Sequence, residues 1–132
     1  MNLEESANFL LMNQDVLAER FYERLFREHP ETRQFFTGID MAHQQSKLVS
    51  ALVTVQRHST VGGWVSENYL HGLGKKHVAL KVTPEMFPHF ESVLMKVLAE
   101  LHEINWTNLL ADSWKDALRA SVKIMLSEYP AE

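Results

Sequence analysis

The stretch HGLGKKHVALKVTPEMF, from His71 to Phe87, places one histidine at the end of an apolar helical stripe. His77 lies four residues after Leu73 and seven after Leu70, so these three side chains share one face of a predicted helix. No position three or four residues from His77 holds a metal-binding side chain. A lone histidine of this kind is usually a core or surface residue, so its role depends on the rest of the chain.

The composition excludes several kinds of site. The chain has 132 residues, enough for one domain with a sizeable core. It has no cysteine, which excludes disulfides, thiol nucleophiles, zinc–thiolate sites and thioether-linked cofactors. The net charge is −4, and no apolar run approaches the ~20 residues that cross a bilayer. The first residues carry Glu4 and Glu5 and lack the basic and then apolar layout that a secretion signal has. We expect one cytoplasmic domain over residues 1–132, without a nucleic-acid or membrane partner.

The apolar pattern is helical along almost the whole chain. Leu17, Phe21 and Leu25 predict a helix that ends near Glu28, and Pro30 then opens a short second helix. The only weak strand candidate is the β-branched segment Leu52–Gln56. It lies inside a helical pattern, and its helical neighbours override the strand signal. The sequence therefore predicts an all-α protein of roughly seven helices.

Capping residues mark two of the later helices. Asp40 is predicted to be the N-cap of a long helix that ends before a Val61–Gly63 loop. Thr83, Pro84 and Glu85 form a second start signal, with Thr83 as the cap and Pro84 in the first turn.

Sequence motifs of common enzymes are absent. There is no glycine-rich phosphate loop, no Gly-x-Ser-x-Gly and no HExxH. No two of the seven histidines lie four residues apart, so a zinc or di-iron site made only of protein ligands is not expected. A haem, in contrast, needs one protein bond and a flat apolar slot, and a lone histidine such as His77 can supply that bond.

Two features fit a slot opposite His77. The predicted long helix carries Gln44 and then Leu48 and Val55 on one face, so this face is polar at one end and apolar beyond. Tyr22 interrupts an otherwise apolar helix face, and a buried hydroxyl needs a hydrogen-bond partner. Gln44 or a small bound ligand would satisfy it. The alternatives are that Tyr22 bonds to the backbone and that Gln44 is solvated.

Three stretches resemble the globins, specifically the bacterial single-domain globins and the haem domains of flavohaemoglobins. RFYERLFREHPETRQFF at 20–36 resembles their B–C region, and DMAHQQSKLVSAL at 40–52 resembles the start of their E helix. LGKKHVALKVTPEMF at 73–87 resembles their F helix and the turn into G. The stretches occur in order with suitable spacing. The resemblance implies a globin fold, a three-over-three helical sandwich, with a shortened N-terminal helix.

The resemblance also implies roles for individual residues. His77 becomes the proximal iron ligand of a non-covalent haem b, with its Nδ1–H directed to the Leu73 carbonyl. Tyr22 and Gln44 take the distal positions that bind the gas ligand, and their hydrogen bonds imply high O₂ affinity. Phe36 takes the position of the phenylalanine that wedges against the haem. The other implied haem contacts are Lys47 at a propionate, Leu48, Leu73 and Val82.

His43, next to Gln44, is an alternative distal residue. Moving the alignment by one residue rotates the helix by ~100° and directs Lys47 to the haem in place of Leu48. Because Leu48 is apolar, the Gln44 alignment is favoured and His43 is placed at the rim. Iron ligation by His43 is left open.

One departure from the family pattern bears on function. Phe87 stands where flavohaemoglobins have a tyrosine that helps polarise the proximal histidine, which implies weaker electron donation to the iron. The favoured function is binding or transport of O₂ and binding of CO and NO. The alternatives are a nitric oxide dioxygenase that works with a separate reductase, and a gas or redox sensor. A monomer or a homodimer is expected.

Overall fold

The computed structural model describes residues 1–131, and all regular structure within them is helical. The all-α prediction is therefore confirmed. Six α-helices and three 3₁₀ helices follow one another. The α-helices are α1 (Leu3–Met12), α2 (Gln14–Glu28), α3 (Met41–Thr60), α4 (Trp64–Ala79), α5 (Phe87–His102) and α6 (Asn108–Leu126). The 3₁₀ helices are Pro30–Phe36, Pro84–Met86 and Glu103–Asn105.

The helices form the predicted three-over-three sandwich of the globin fold. α3 packs against α1, α2, α4 and α6, while α5 packs against α2 and α6. The first helix is short, with only ten residues, and α2 begins almost directly after it. No helix within residues 1–131 combines the length and the apolar character needed to span a membrane.

Asp40 caps α3 with its side chain, as predicted. Thr83 lies at the predicted N-cap position before α5, but the expected side-chain hydrogen bond is missing. The Asp40 carboxylate accepts a hydrogen bond from the Ala42 N–H at 3.0 Å. Thr83 does occupy the N-cap position, but its side chain accepts no backbone hydrogen bond. The Met86 N–H, which a capping side chain would bind, instead donates to the Thr83 carbonyl in a 3₁₀ turn. The chain therefore enters α5 through this turn.

One close backbone contact sets the position of α4. A Cβ atom added to Gly74 would lie 2.6 Å from the Met125 carbonyl oxygen and 2.8 Å from the Met125 Cα. Such distances are well inside van der Waals contact, so only glycine allows α4 and α6 to approach this closely. Gly74 lies one turn before His77, and the contact therefore fixes the segment that carries this histidine.

Candidate functional site

The predicted distal pair is joined by a hydrogen bond between two helices. Gln44 on α3 donates from its amide nitrogen to the hydroxyl oxygen of Tyr22 on α2, at 3.0 Å. Only 7% of Tyr22 is exposed, and this burial raises its pKa to about 12 despite the opposing effect of the Gln44 hydrogen bond. Tyr22 is thus a neutral phenol. Within residues 1–131 its O–H has no protein acceptor, so it can donate to a ligand.

Aromatic contacts hold the Tyr22 ring in place. Phe36, at the end of the first 3₁₀ helix, packs edge-on against Tyr22 with ring centroids 5.2 Å apart. Phe26 packs edge-on against Phe36 at 5.5 Å and lies 5.9 Å from the Tyr22 ring. Edge-to-face pairs at these distances restrict ring rotation. The Tyr22 ring is thus packed between aromatic neighbours on α2 and on the first 3₁₀ helix.

His77 near the end of α4 has the hydrogen bond that the sequence predicted. Its Nδ1 lies 2.9 Å from the Leu73 carbonyl oxygen. A carbonyl can only accept, so Nδ1 carries the hydrogen and Nε2 keeps its lone pair. Burial lowers the pKa of His77, and the Lys76 charge acts in the same direction, whereas the Leu73 hydrogen bond opposes them. The ring is therefore neutral near pH 7, the form that binds a metal ion.

The segment that follows His77 is fixed by two hydrogen bonds and one ring contact. The Val82 N–H donates to the His77 carbonyl at 3.0 Å. The Tyr129 hydroxyl donates to the Val82 carbonyl at 2.6 Å, which connects the end of the chain to this segment. The Phe87 ring lies edge-on to the His77 ring, with centroids 5.7 Å apart. Val82 and Phe87 are buried in one small apolar cluster with Met125.

The remaining predicted residues differ in exposure. Leu48 and Leu73 are half-buried, while Lys47 and His43 are exposed on α3. Lys47 makes no ion pair with a carboxylate within residues 1–131, so its ammonium is available to an anionic group.

These residues fit a haem in the chemistry of their donors. In the part of the chain that the structure describes, no three His, Cys, Asp or Glu side chains lie close enough together to hold a metal ion. A metal on His77 would therefore need ligands from outside the protein, and a porphyrin supplies four nitrogens. The half-buried apolar side chains and the neutral imidazole suit such a group.

The sequence analysis missed a buried polar network in the interior. The Ser6 hydroxyl lies 2.7 Å from Nε2 of His102, and the Trp114 indole N–H donates to the Ser6 oxygen at 2.9 Å. Nδ1 of His102 lies 2.6 Å from the Leu98 carbonyl. All three side chains are at most 3% exposed. The network joins α1, α5 and α6, and only the local His102–Leu98 spacing is visible in the sequence.

Two relatives among known proteins match most of this chain. A flavohemoprotein of Burkholderia sp. (strain TH2) is 28% identical over 123 residues, a match that covers 85% of this chain and 29% of that protein. A flavohemoprotein of Pseudomonas putida (strain KT2440) is 29% identical over 122 residues, with the same coverage of both chains. This chain thus spans less than a third of the length of these relatives.

A solved structure shares the fold. It is the crystal structure of a Pseudomonas aeruginosa PAO1 protein described as structurally highly homologous to a human haemoglobin. Its TM-score is 0.78 at 20% sequence identity, and the match covers 96% of this chain and 99% of that one. The sequence model of the family described as Globin matches residues 19–125, which is most of the chain. This chain therefore belongs to the globin family.

Proposed function

We propose that this globin binds O₂, CO and NO reversibly at a b-type haem, with high affinity for O₂. The observation that carries the proposal is the hydrogen bond between the buried Tyr22 and the half-buried Gln44, in which the phenol accepts from the amide and keeps its own O–H free. When bound, the haem would supply an iron atom with one open position for a diatomic ligand. Family membership supports haem-based gas binding in general, and the distal pair supports the preference for O₂.

The chain's own residues would hold the haem without a covalent bond, because there is no cysteine for attachment. His77 would bind through Nε2, with its ring orientation fixed by the Leu73 carbonyl. Lys47 is exposed and would pair with a propionate at the solvent edge. The apolar contacts would come from Phe36, Leu48, Leu73 and Val82.

Tyr22 would act as the hydrogen-bond donor to the gas. The haem would supply electron density that gives O₂ partial negative charge and gives CO little, so a hydrogen-bond donor in the pocket would favour O₂. The Gln44 amide bonds to the phenol oxygen and so strengthens the phenol as a donor. Each hydrogen bond is worth about 1 kcal/mol or somewhat more in a dry site. The one bond from Tyr22 to O₂ would therefore slow O₂ release by roughly tenfold, at ~1.4 kcal/mol per tenfold.

Nitric oxide dioxygenase activity, with electrons from a separate reductase, is the second candidate. It is supported by the similarity to two relatives described as flavohemoproteins. The proximal side argues for ligand binding over oxidation, because Phe87 beside His77 has no hydroxyl and, within residues 1–131, the His77 Nδ1 bonds only to a neutral carbonyl. Turnover of NO by the protein with an added flavin reductase would separate the two functions.

Absorption spectra test the primary proposal. We expect the purified or haem-reconstituted protein to show a Soret band in the ferric and ferrous states, and a shifted Soret band under CO. The ferrous form should bind O₂ reversibly. If no Soret band appears after reconstitution with haem, the proposal is overturned.

A further inference from the structure

An open groove lies between the start of α5 and the second half of α6. Its volume is about 500 Å³, within the range of about 300–1,000 Å³ that small-molecule sites occupy. None of the residues proposed to hold the haem or the gas lines it. The apolar side chains that line it are Pro84, Phe87, Pro88, Val122 and Leu126.

Two cationic side chains, Arg119 and Lys123, also line the groove. Arg119 and Lys123 are four residues apart on α6, so they project from the same side of the helix. Within residues 1–131, Lys123 makes no ion pair with a carboxylate, and Arg119 contacts a carboxylate only through Nε, at 3.4 Å from Glu91 Oε1. Within the described residues the Arg119 Nη atoms donate no hydrogen bond, so they can bind another anion. Two cations and one carboxylate leave the groove with one excess positive charge, in a chain whose net charge is −4.

The two ends of the groove differ in polarity. Glu91 and Arg119 form the charged end: Glu91 Oε1 lies 3.4 Å from Arg119 Nε, and within residues 1–131 this buried oxygen has no hydrogen-bond partner. Pro84 and Pro88 precede Glu91 by seven and three residues along the chain, and neither has a backbone N–H to offer a polar group. A bound molecule would therefore place an anionic head at Arg119 and an apolar chain towards the prolines.

We propose that the groove binds an amphipathic monocarboxylate, which is an unbranched alkyl chain with one carboxylate head. The carboxylate would accept hydrogen bonds from the Arg119 Nη atoms and the Lys123 ammonium, and such charge-assisted bonds are stronger than neutral ones. The alkyl chain would cover the exposed Pro88 and the half-buried Leu126 and remove their apolar surface from water. The binding is non-covalent.

Calorimetry with two probes of equal chain length tests the charge requirement. Dodecanoate and dodecyltrimethylammonium share one alkyl chain and carry opposite charges, and both are used below their micelle concentrations with the haem-loaded protein. We expect dodecanoate to bind at least tenfold more tightly. Equal affinities, or no binding of dodecanoate up to its solubility limit, would overturn the proposal.

Variants test the location. Arg119→Gln with Lys123→Gln should weaken dodecanoate binding by about tenfold or more. A control with the same loss of charge, Arg20→Gln with Arg57→Gln, changes two exposed cations outside the groove and should leave the affinity unchanged. Val122→Trp should fill the groove and abolish binding. Dodecanoate binding that survives both groove variants would place the ligand elsewhere, the haem slot included, and contradict the proposal.

Discussion

The hydroxyl oxygen of Tyr22 lies 3.0 Å from the amide nitrogen of Gln44, although the two residues are 22 positions apart in the chain. The hydrogen bond joins α2 to α3 and shows which group is the donor and which is the acceptor. Because Gln44 donates, the phenol oxygen accepts and its hydrogen remains available to a ligand. The affinity for O₂ should therefore depend on the phenol more than on any other side chain near it.

Replacing Tyr22 by Phe removes this hydrogen bond and keeps the ring. We expect O₂ to dissociate about tenfold faster, and CO to be affected much less, because CO gains little from a donor. Stopped-flow measurement of both dissociation rates checks the prediction. Tyr69→Phe, at a tyrosine that is 41% exposed, is the control and should change neither rate. An unchanged O₂ rate in Tyr22→Phe would mean that the phenol does not contact the gas.

Replacing His77 by Ala removes the proposed iron ligand. We expect loss of the native Soret and visible bands, with partial recovery when imidazole is added to occupy the space left by the side chain. His43→Ala is the matched control, since His43 is exposed and next to Gln44. It should leave the ferrous spectrum unchanged. The opposite pattern, with spectra lost in His43→Ala and kept in His77→Ala, would assign the ligand to His43.

Substitution by alanine at the two glycines of α4 should change the free energy of unfolding in opposite directions. Gly74→Ala places a Cβ 2.6 Å from the Met125 carbonyl oxygen, so we expect the free energy of unfolding to fall by about 1–3 kcal/mol. A Cβ added at Gly72 has no atom within 4 Å. The higher helix propensity of alanine should therefore raise the free energy of unfolding of Gly72→Ala by up to about 1 kcal/mol. Urea denaturation measures both. Equal effects would mean that α4 and α6 do not approach as closely as described.

The buried imidazole of His102 should make folding sensitive to acid. Burial lowers the pKa of His102, although its hydrogen bond to the Leu98 carbonyl opposes the change. The unfolded chain, with an ordinary histidine pKa of about 6.5, therefore binds more protons than the folded chain at mildly acidic pH. The stabilisation of the neutral form is complete above about pH 6.5 and is lost progressively as the pH falls below it.

His102→Gln tests this effect because glutamine does not titrate. We expect the variant to be less stable at neutral pH, since the Ser6 and Trp114 hydrogen bonds are rearranged. The free energy of unfolding of the wild type should fall more steeply between about pH 7 and pH 5 than that of the variant. Denaturation curves at a series of pH values give both slopes. Parallel slopes would exclude His102 as the source of the acid sensitivity.

Interactions between neighbours along the chain were predictable. The Asp40 cap bonds two residues ahead and the His77 ring bonds four residues back, so helical geometry alone places each donor near its acceptor. The error at Thr83 has the same local origin, because two acceptors compete for the Met86 N–H and the carbonyl in the 3₁₀ turn binds it. The sequence spacing places both acceptors near the Met86 N–H but does not show which of them binds it.

The sequence by itself determined the helices, most of their ends and the three stretches that carry the globin resemblance, because these depend on periodicity and on residues a few positions apart. Only the tertiary structure decided which distant groups meet. Ser6 and His102 are 96 positions apart, Tyr129 and Val82 are 47 apart, and Gly74 meets the backbone of Met125 on another helix. Such contacts depend on how close two helices lie and how each is rotated, and the packing of the whole core fixes both quantities.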